Sequence, residues 1–385
     1  MSDIFCLLTD ADWWDAVADK FLSVLRRHKQ DRICLLYNAD ADGFTASYFV
    51  LGIIDSLTRP QPANIETRAV WNYEYDFSWF PDFAAGNDPA VIIGVDIPII
   101  QEPDVLQKLS SVCEILIYDH HVPPERLEAI PHVFYANSHL LEAKDVDYPA
   151  SFFTAALAFG AHAAAGVDMP VLACGLCGDN CLYTNKQMTE FLRRQFPSFL
   201  QAPAGSRTPL SRLTSRLNAL FRANPGHTPA DAQTDLYMLL RSGPADEAFA
   251  KFCARYNLDH AQQLITQEVQ PALEFLRAVE PSRDGLLCQV LDFTTFSAGI
   301  VASVLAAETF TGVIALGFRV AGRVQFELRT NRDNTIDLTE LLKAQRCFFT
   351  PISSGGHPKA AGALVYTADV AKFQTSLEKA LLQIL

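Results

Sequence analysis

Long uncharged apolar runs are missing from this 385-residue sequence. No stretch free of charge or strong breakers is long enough for a convincing membrane span, so no membrane partner is expected. Basic residues are also scarce: 31 Lys and Arg face 44 Asp and Glu, a net charge of −13, which argues against a protein that coats nucleic acid. The opening residues, MSDIFCLLTDADWW, lack a basic flank before their short apolar run and carry Asp3, Asp10 and Asp12, which makes a poor signal peptide. A cytoplasmic protein is expected. The nine cysteines are odd in number and read as reduced thiols rather than as a disulfide framework. Tandem repeats and low-complexity tracts are absent too.

What is present can bury substantial cores, since 49% of residues are hydrophobic and 11% aromatic. The length exceeds one ordinary core and points to two domains with a helical connector. Three runs, RICLLYNAD, AVIIGVDIP and EILIYDHH, are apolar strands that each end at a carboxylate, with stretches between them long enough for crossovers. Such strands predict a doubly wound, mainly parallel sheet covered on both faces. Ligands gather beyond the carboxyl ends of strands in sheets of this kind. Asp40, Asp42, Asp96, Asp119, His120 and His121 all fall at those ends and can converge on one crevice.

After CGLCGDN the pattern becomes helical, as in DEAFAKFCARY and HAQQLITQEVQPALEFLRAV, with loops at APAGSRTP and ANPGHTPAD. GLLCQVLDF, GVIALGFRV and RVQFELRT then read as strands, with FSAGIVASVLAAETF as a helix among them. The expected organisation is α/β throughout: residues 1–185, a helical connector at 186–283, and a smaller α/β domain with a mixed sheet at 284–385.

The segment NADADG poses the chemical question. If Asp40 and Asp42 lie on a strand, residues two apart share a face, and two carboxylates aimed the same way need a cation or the open surface. A single Asp at a strand end is more simply an N-cap or turn residue. Three strands ending this way make coincidence a poor explanation. Carboxylates mixed with imidazole suit Mn²⁺, Mg²⁺ or Co²⁺. Two such ions about 4 Å apart can share a bridging carboxylate, generate a hydroxide and clamp a phosphate during in-line displacement.

NADADG, VDIP, YDHH and GLCGDN, in this order, resemble the four motifs of the DHH phosphoesterase superfamily, and SSGGHPKAAGA resembles the glycine-rich signature of its accompanying C-terminal domain. The resemblance spans roughly residues 30 to 182 and 284 to 385, and includes RecJ-type exonucleases, oligoribonucleases and cyclic-dinucleotide hydrolases. It implies two metal ions, with Mn²⁺ expected. Asp40 would serve one ion and Asp42 the other, Asp96 would bridge, and His120 and Asp179 would complete the set. It also implies that His121 faces the phosphate, with Asp119 orienting its imidazole. Family members often have a histidine four residues before the first motif aspartate, or an aspartate two before. Leu36 and Asn38 stand there instead. The amide oxygen of Asn38 is a neutral ligand, so the first metal is expected to be the weaker one.

In the C-terminal motif, Gly355 and Gly356 let backbone approach a phosphate or sugar, while His357 and Lys359 offer donors; the motif taken alone is equally a tight turn. The family arrangement implies that an arginine of this domain meets substrate, and Arg329 is the candidate. The second domain is thereby expected to act as a substrate clamp.

Other signals point to packing. Cys174, Cys177 and Cys181 have zinc-like spacing without a second pair, and Trp13 and Trp14 fit a helix face better than a base stack. Lys186, Arg193, Arg194, Arg207, Arg212, Arg216 and Arg222 against Glu190 give residues 186–222 a charge of 7 − 1 = +6. This segment is either a solvated face or a guide for a single strand.

The substrate expected is a short single-stranded nucleic acid or a small nucleotide phosphodiester, cut by a Mn²⁺-dependent phosphodiesterase. Alternatives are a RecJ-like DNA exonuclease, a cyclic-dinucleotide hydrolase, a nucleotide or polyphosphate phosphatase, and a non-catalytic nucleotide-binding member. The family often forms homodimers, but no heptad marks an interface here.

Overall fold

The structure, a computed structural model, describes residues 11–58, 64–123, 129–140, 148–164, 168–179, 181–182, 186–203, 206–224, 226–227, 229, 231–281, 285–308, 312–331 and 334–384, with side chains from residue 14 onward. The opening segment with Asp3 and Asp10, and the side chains of Asp12 and Trp13, lie outside the described residues. The chain divides into two compact units, one of residues 1–221 and 226–259, the other of residues 222–225 and 260–385. The helices after residue 186 are thus shared between the two units.

The first unit is built on five strands: β1 (Arg32–Asn38), β2 (Asn64–Val70), β3 (Val91–Val95), β4 (Glu114–Asp119) and β5 (Val133–Asn137). They lie in the order β2-β1-β3-β4-β5, and every pairing is parallel. The three apolar runs become β1, β3 and β4 at the centre, as their buried patterns require. This order reverses direction between β1 and β3, which opens a crevice at their carboxyl ends. Asp40 follows β1 and Asp96 follows β3, so the fold itself delivers both carboxylates to that crevice.

Among the described residues, the helices around the sheet are α1 (Ala11–Arg27), α2 (Ala41–Thr58), α3 (Phe80–Asn87), α4 (Pro103–Leu109), α5 (Ala150–Gly160) and α6 (Met169–Gly178). α2 and α5 are apolar around most of their circumference because neighbours cover most sides, and Phe44, Phe49, Phe152 and Phe153 are all but inaccessible. Each such ring stabilises the unit by roughly 1.5–3 kcal/mol relative to exposure. Further helices are α7 (Lys186–Gln195), α8 (Pro197–Leu200), α9 (Pro209–Arg222), α10 (Ala232–Ser242), α11 (Ala245–Arg255) and α12 (Leu258–Arg277). A buried clamp fastens α10: Asp168 accepts from the Tyr48 hydroxyl at 2.5 Å and from both terminal nitrogens of Arg241 at 2.8 and 3.0 Å.

The second unit carries β6 (Leu286–Leu291), α13 (Ala298–Glu308), β7 (Val313–Val320), β8 (Arg323–Thr330), α14 (Leu338–Gln345), β9 (Ser353–His357), β10 (Ala360–Tyr366) and α15 (Val370–Ile384). Its sheet runs β6-β7-β8-β10-β9 and is mixed, with β6 and β7 parallel and the other pairs antiparallel. One face packs Phe326, Leu328 and Val365 on Leu338, Leu341, Phe373 and Leu377; the other packs Leu287, Ile314 and Leu316 on α12 and α13. In the glycine-rich motif the turn itself falls at Pro358 and Lys359, and the glycines precede it in a strand. Gly355, Gly356 and His357 belong to the edge strand β9, in a hairpin with β10. Gly356 has φ +137°, and a Cβ there would lie 2.6 Å from the Ala360 carbonyl oxygen and the Ala361 Cα, so this strand pairing requires glycine.

Among the described residues, no helix is long and apolar enough to cross a membrane.

Candidate metal centre

Asp40 and Asp42 do not share a strand face as expected. β1 ends at Asn38, Asp40 occupies the turn, and Asp42 lies in the first turn of α2. Asp40 Oδ1 accepts from the Gly43 amide at 2.9 Å, which makes it a cap of α2. The tight turn depends on Gly43, because a Cβ there would sit 2.3 Å from the Asn38 carbonyl oxygen.

Asp42 is fully buried and faces the start of α5, accepting from the amides of Ala150 at 2.9 Å and Ser151 at 3.3 Å and from the Ser151 hydroxyl. Asp179 follows α6, whose glycines let it lie against these elements. A Cβ on Gly175 would meet Ser151 Oγ at 2.5 Å, and one on Gly178 would meet Ala41 Cβ at 3.1 Å. Asp96 sits just past β3 with φ +59°, a left-handed conformation that Asp tolerates better than most residues, and its amide donates to the Tyr118 carbonyl at 2.8 Å. That bond ties the turn to β4, which ends beside His120.

The result is a convergence from four separate segments. Donor atoms of Asp42, Asp96, His120 and Asp179 all lie within 4.8 Å of one another, and Asp96, His120 and His121 form an overlapping group. His120 Nε2 is 3.2 Å from Asp96 Oδ1 and 3.0 Å from Asp179 Oδ2. Burial, followed by the charges of Asp179 and Asp40, pushes the Asp42 carboxyl well above the usual range. Burial, followed by Asp40 and Asp42, does the same to Asp96. Asp96 Oδ1 is buried and turned to the His120 imidazole. Buried carboxylates crowded beside imidazole form a donor set suited to a divalent cation.

Asp119 and His121 are in direct contact. His121 Nδ1 lies 2.7 Å from Asp119 Oδ1, and the His121 amide donates to the same oxygen at 3.3 Å. Burial works against the Asp119 charge, but contact with His121 and the nearby His120 outweigh it and hold the carboxyl below its ordinary range. Asn137 on β5 donates to the His121 carbonyl at 2.9 Å, and so fixes the backbone of the pair. The sequence reading missed this residue, and it also missed Tyr75, whose ring meets His121 edge-on with centroids 6.3 Å apart.

Asn38 departs from its expected role. Its amide oxygen is taken by the Tyr75 hydroxyl at 2.9 Å, and its nitrogen faces Asp40 and Asp96. Leu36 is buried in an apolar cluster with Cys34, Val70 and Phe77.

The second unit places its candidates on one sheet face. Arg329 on β8 pairs with Ala360 on β10, and Ala360 pairs with His357 on β9, so the two polar side chains flank a small residue. Glu327, Gly362 and Gly355 form the next row on that face. The Arg329 guanidinium donates to Glu327 at 3.2 Å, the Ser303 hydroxyl at 3.1 Å and the Leu328 carbonyl at 2.8 Å. Lys359 differs from expectation, because its ammonium donates to the carbonyls of Asn334 and Ile336 and thereby pins the 334–336 loop.

Cys174 and Cys177 lie where burial raises their thiol pKa values, and among the described residues no cysteine joins a group able to hold a metal ion. Trp14 stacks on Phe153 within the protein, at 5.9 Å. In the basic segment, Arg193 and Arg194 pair with Glu190, and Arg216 pairs with Asp259.

No family model and no curated protein matches the sequence. Among solved structures, the chain is similar to RecJ from Thermus thermophilus in complex with Mn²⁺, with a TM-score of 0.69 and 19% identity over 96% of this chain and 55% of that one. It therefore spans about half the length of that relative. An exonuclease RecJ bound to manganese is similar over 96% of this chain and 94% of its own, at TM-score 0.63 and 18% identity. The DHH domain of a member of a family of ribosomal proteins matches at TM-score 0.63 and 13% identity, over 97% and 92% of the two chains. The chain has the fold shared by RecJ and DHH-domain proteins, the fold that its ordered motifs imply.

Proposed function

We propose that this chain is a metal-dependent phosphodiesterase that hydrolyses short single-stranded oligonucleotides or dinucleotides, with Mn²⁺ as its ion. The observation that carries the reading is the convergence of Asp42, Asp96, His120 and Asp179 beside the Asp119–His121 pair. These four side chains would hold the ion. When bound there, it supplies Lewis-acid polarisation of a phosphodiester oxygen and of the attacking water. The Asp119 carboxylate, in contact with His121 Nδ1, orients the ring, and the other ring nitrogen is the group assigned to proton exchange with the leaving oxygen. Arg329 and His357 offer cationic and hydrogen-bonding groups for a phosphate or sugar, and the small residues between them leave room for it. The formal charge of −13 disfavours long tracking along a polyanion and favours short substrates. Of the similar RecJ structures, two are with Mn²⁺ and one with Mg²⁺, which supports a hard divalent ion.

The test uses purified protein with Mn²⁺ on labelled RNA and DNA of two and twenty nucleotides, a cyclic dinucleotide and a nucleoside bisphosphate, with Asp96→Ala as control. Hydrolysis of the two-nucleotide linear substrates, abolished by the substitution, is the expected result. Progressive loss of the longer strands would assign a RecJ-like exonuclease instead. Oligonucleotide binding without turnover in Mn²⁺, Mg²⁺ or Co²⁺ would overturn the enzymatic reading.

A further inference from the structure

Asn38 and Asp40 stand outside the four-residue donor group, and the hydrogen bonds of Asn38 explain why. Its Oδ1 accepts the Tyr75 hydroxyl at 2.9 Å, while Nδ2 lies 2.8 Å from Asp40 Oδ2 and 3.3 Å from Asp96 Oδ2. An amide nitrogen carries two hydrogens, and here they point at carboxylates delivered by two different strand ends. Turning the amide over would set its oxygen against those same carboxylates. The Tyr75 hydroxyl must be the donor of its bond to Asn38, since an amide oxygen can only accept.

The two oxygens of Asp96 are thereby divided. Oδ2 is engaged by Asn38, whereas Oδ1 is turned to His120 Nε2 at 3.2 Å. On the other side of Asn38 there is no substitute ligand among the described residues of β1. Those below it on the same face of the strand are Leu36 and Cys34, both fully buried in the apolar cluster.

Building on the metal-dependent reading above, we propose that the Asn38 amide, locked by Tyr75, stands where a second cation would sit between Asp40 and Asp96, so that the centre holds one divalent ion rather than two. Two N–H dipoles offset part of the repulsion between the carboxylates and leave no oxygen of Asn38 for a metal. The ion is then confined to Asp42, Asp96 Oδ1, His120 and Asp179.

The experiment counts ions without reference to activity. Metal-free protein is equilibrated with Mn²⁺, loosely held ion is removed, bound manganese per chain is measured by mass spectrometry, and the electron paramagnetic resonance spectrum is recorded. One ion per chain with the six-line signal of an isolated Mn²⁺ is expected. Asn38→Asp, which exchanges the amide for a third carboxylate, is expected to bind two ions and to give a spin-coupled signal. Tyr75→Phe, which frees the amide oxygen without altering charge, is expected to gain a second, weaker site. Two ions in the unaltered protein would overturn this inference while leaving the metal-dependent reading intact. One ion in both variants would overturn the role given to Asn38, and no bound ion at all would overturn both readings.

Discussion

Gly43→Ala sets two physical effects against each other. The position lies in the first turn of α2, where Ala ordinarily favours a helix over Gly by about 1 kcal/mol. Against this, the added Cβ would stand 2.3 Å from the Asn38 carbonyl oxygen and 2.7 Å from its nitrogen. Those are backbone atoms at the end of a central strand and cannot swing aside. Restoring ordinary contact means parting helix and strand by about 1 Å, and overpacking of this kind costs up to about 3 kcal/mol. The shift also strains the bond from the Gly43 amide to Asp40, for about 1 kcal/mol more. After the helix gain is subtracted, the net loss is about 3 kcal/mol. All four tryptophans, at positions 13, 14, 71 and 79, lie in the first unit, so tryptophan fluorescence during urea unfolding reports that unit by itself. A transition midpoint unchanged or raised in Gly43→Ala would show that the helix start is not pinned to β1 as described.

Three further outcomes follow from particular contacts. Asp119→Asn removes the charge that holds His121 and is expected to lower turnover by about 10- to 100-fold while the fold persists, as circular dichroism beside kinetics will show. Glu114 has its carboxyl pKa lowered because, although burial opposes its charge, contacts with Arg27 at 2.6 Å and His28 at 3.0 Å prevail. Its contribution is therefore present above the unfolded value of about 4.3 and lost as pH falls through the lower folded value. Since Arg27 is half exposed, Glu114→Gln is expected to cost only about 0.5 kcal/mol at pH 7, and the difference from the parent in chemical unfolding should shrink in acid. Gly356→Ala is expected to destabilise the second unit by about 3 kcal/mol, with lost hydrogen-exchange protection confined to the β9–β10 hairpin.

The central strands were legible because burial on both faces makes them uninterrupted apolar runs, and their terminal carboxylates marked the crevice. β2, NIETRAV, escaped notice because an edge strand that is half exposed keeps polar residues and loses the pattern. β9, SSGGH, has no apolar side chain at all and exists through pairing with β10, a tertiary cause that no local pattern reveals. The convergence of Asp96, His120 and Asp179 on Asp42 follows from motif order, yet the placement of Asp42 on a helix contradicts a strand reading of alternating aspartates. Tyr75 was invisible for a different reason. Its partner Asn38 lies 37 residues away, and only the return of the chain after β2 brings the hydroxyl to the amide.

Crystals soaked in Mn²⁺ and measured at the manganese absorption edge test the central claim most directly. The account predicts an anomalous peak within coordination distance of Asp42, Asp96, His120 and Asp179, lost in Asp96→Ala. A peak elsewhere, or none at these four side chains in well-ordered crystals, would contradict it.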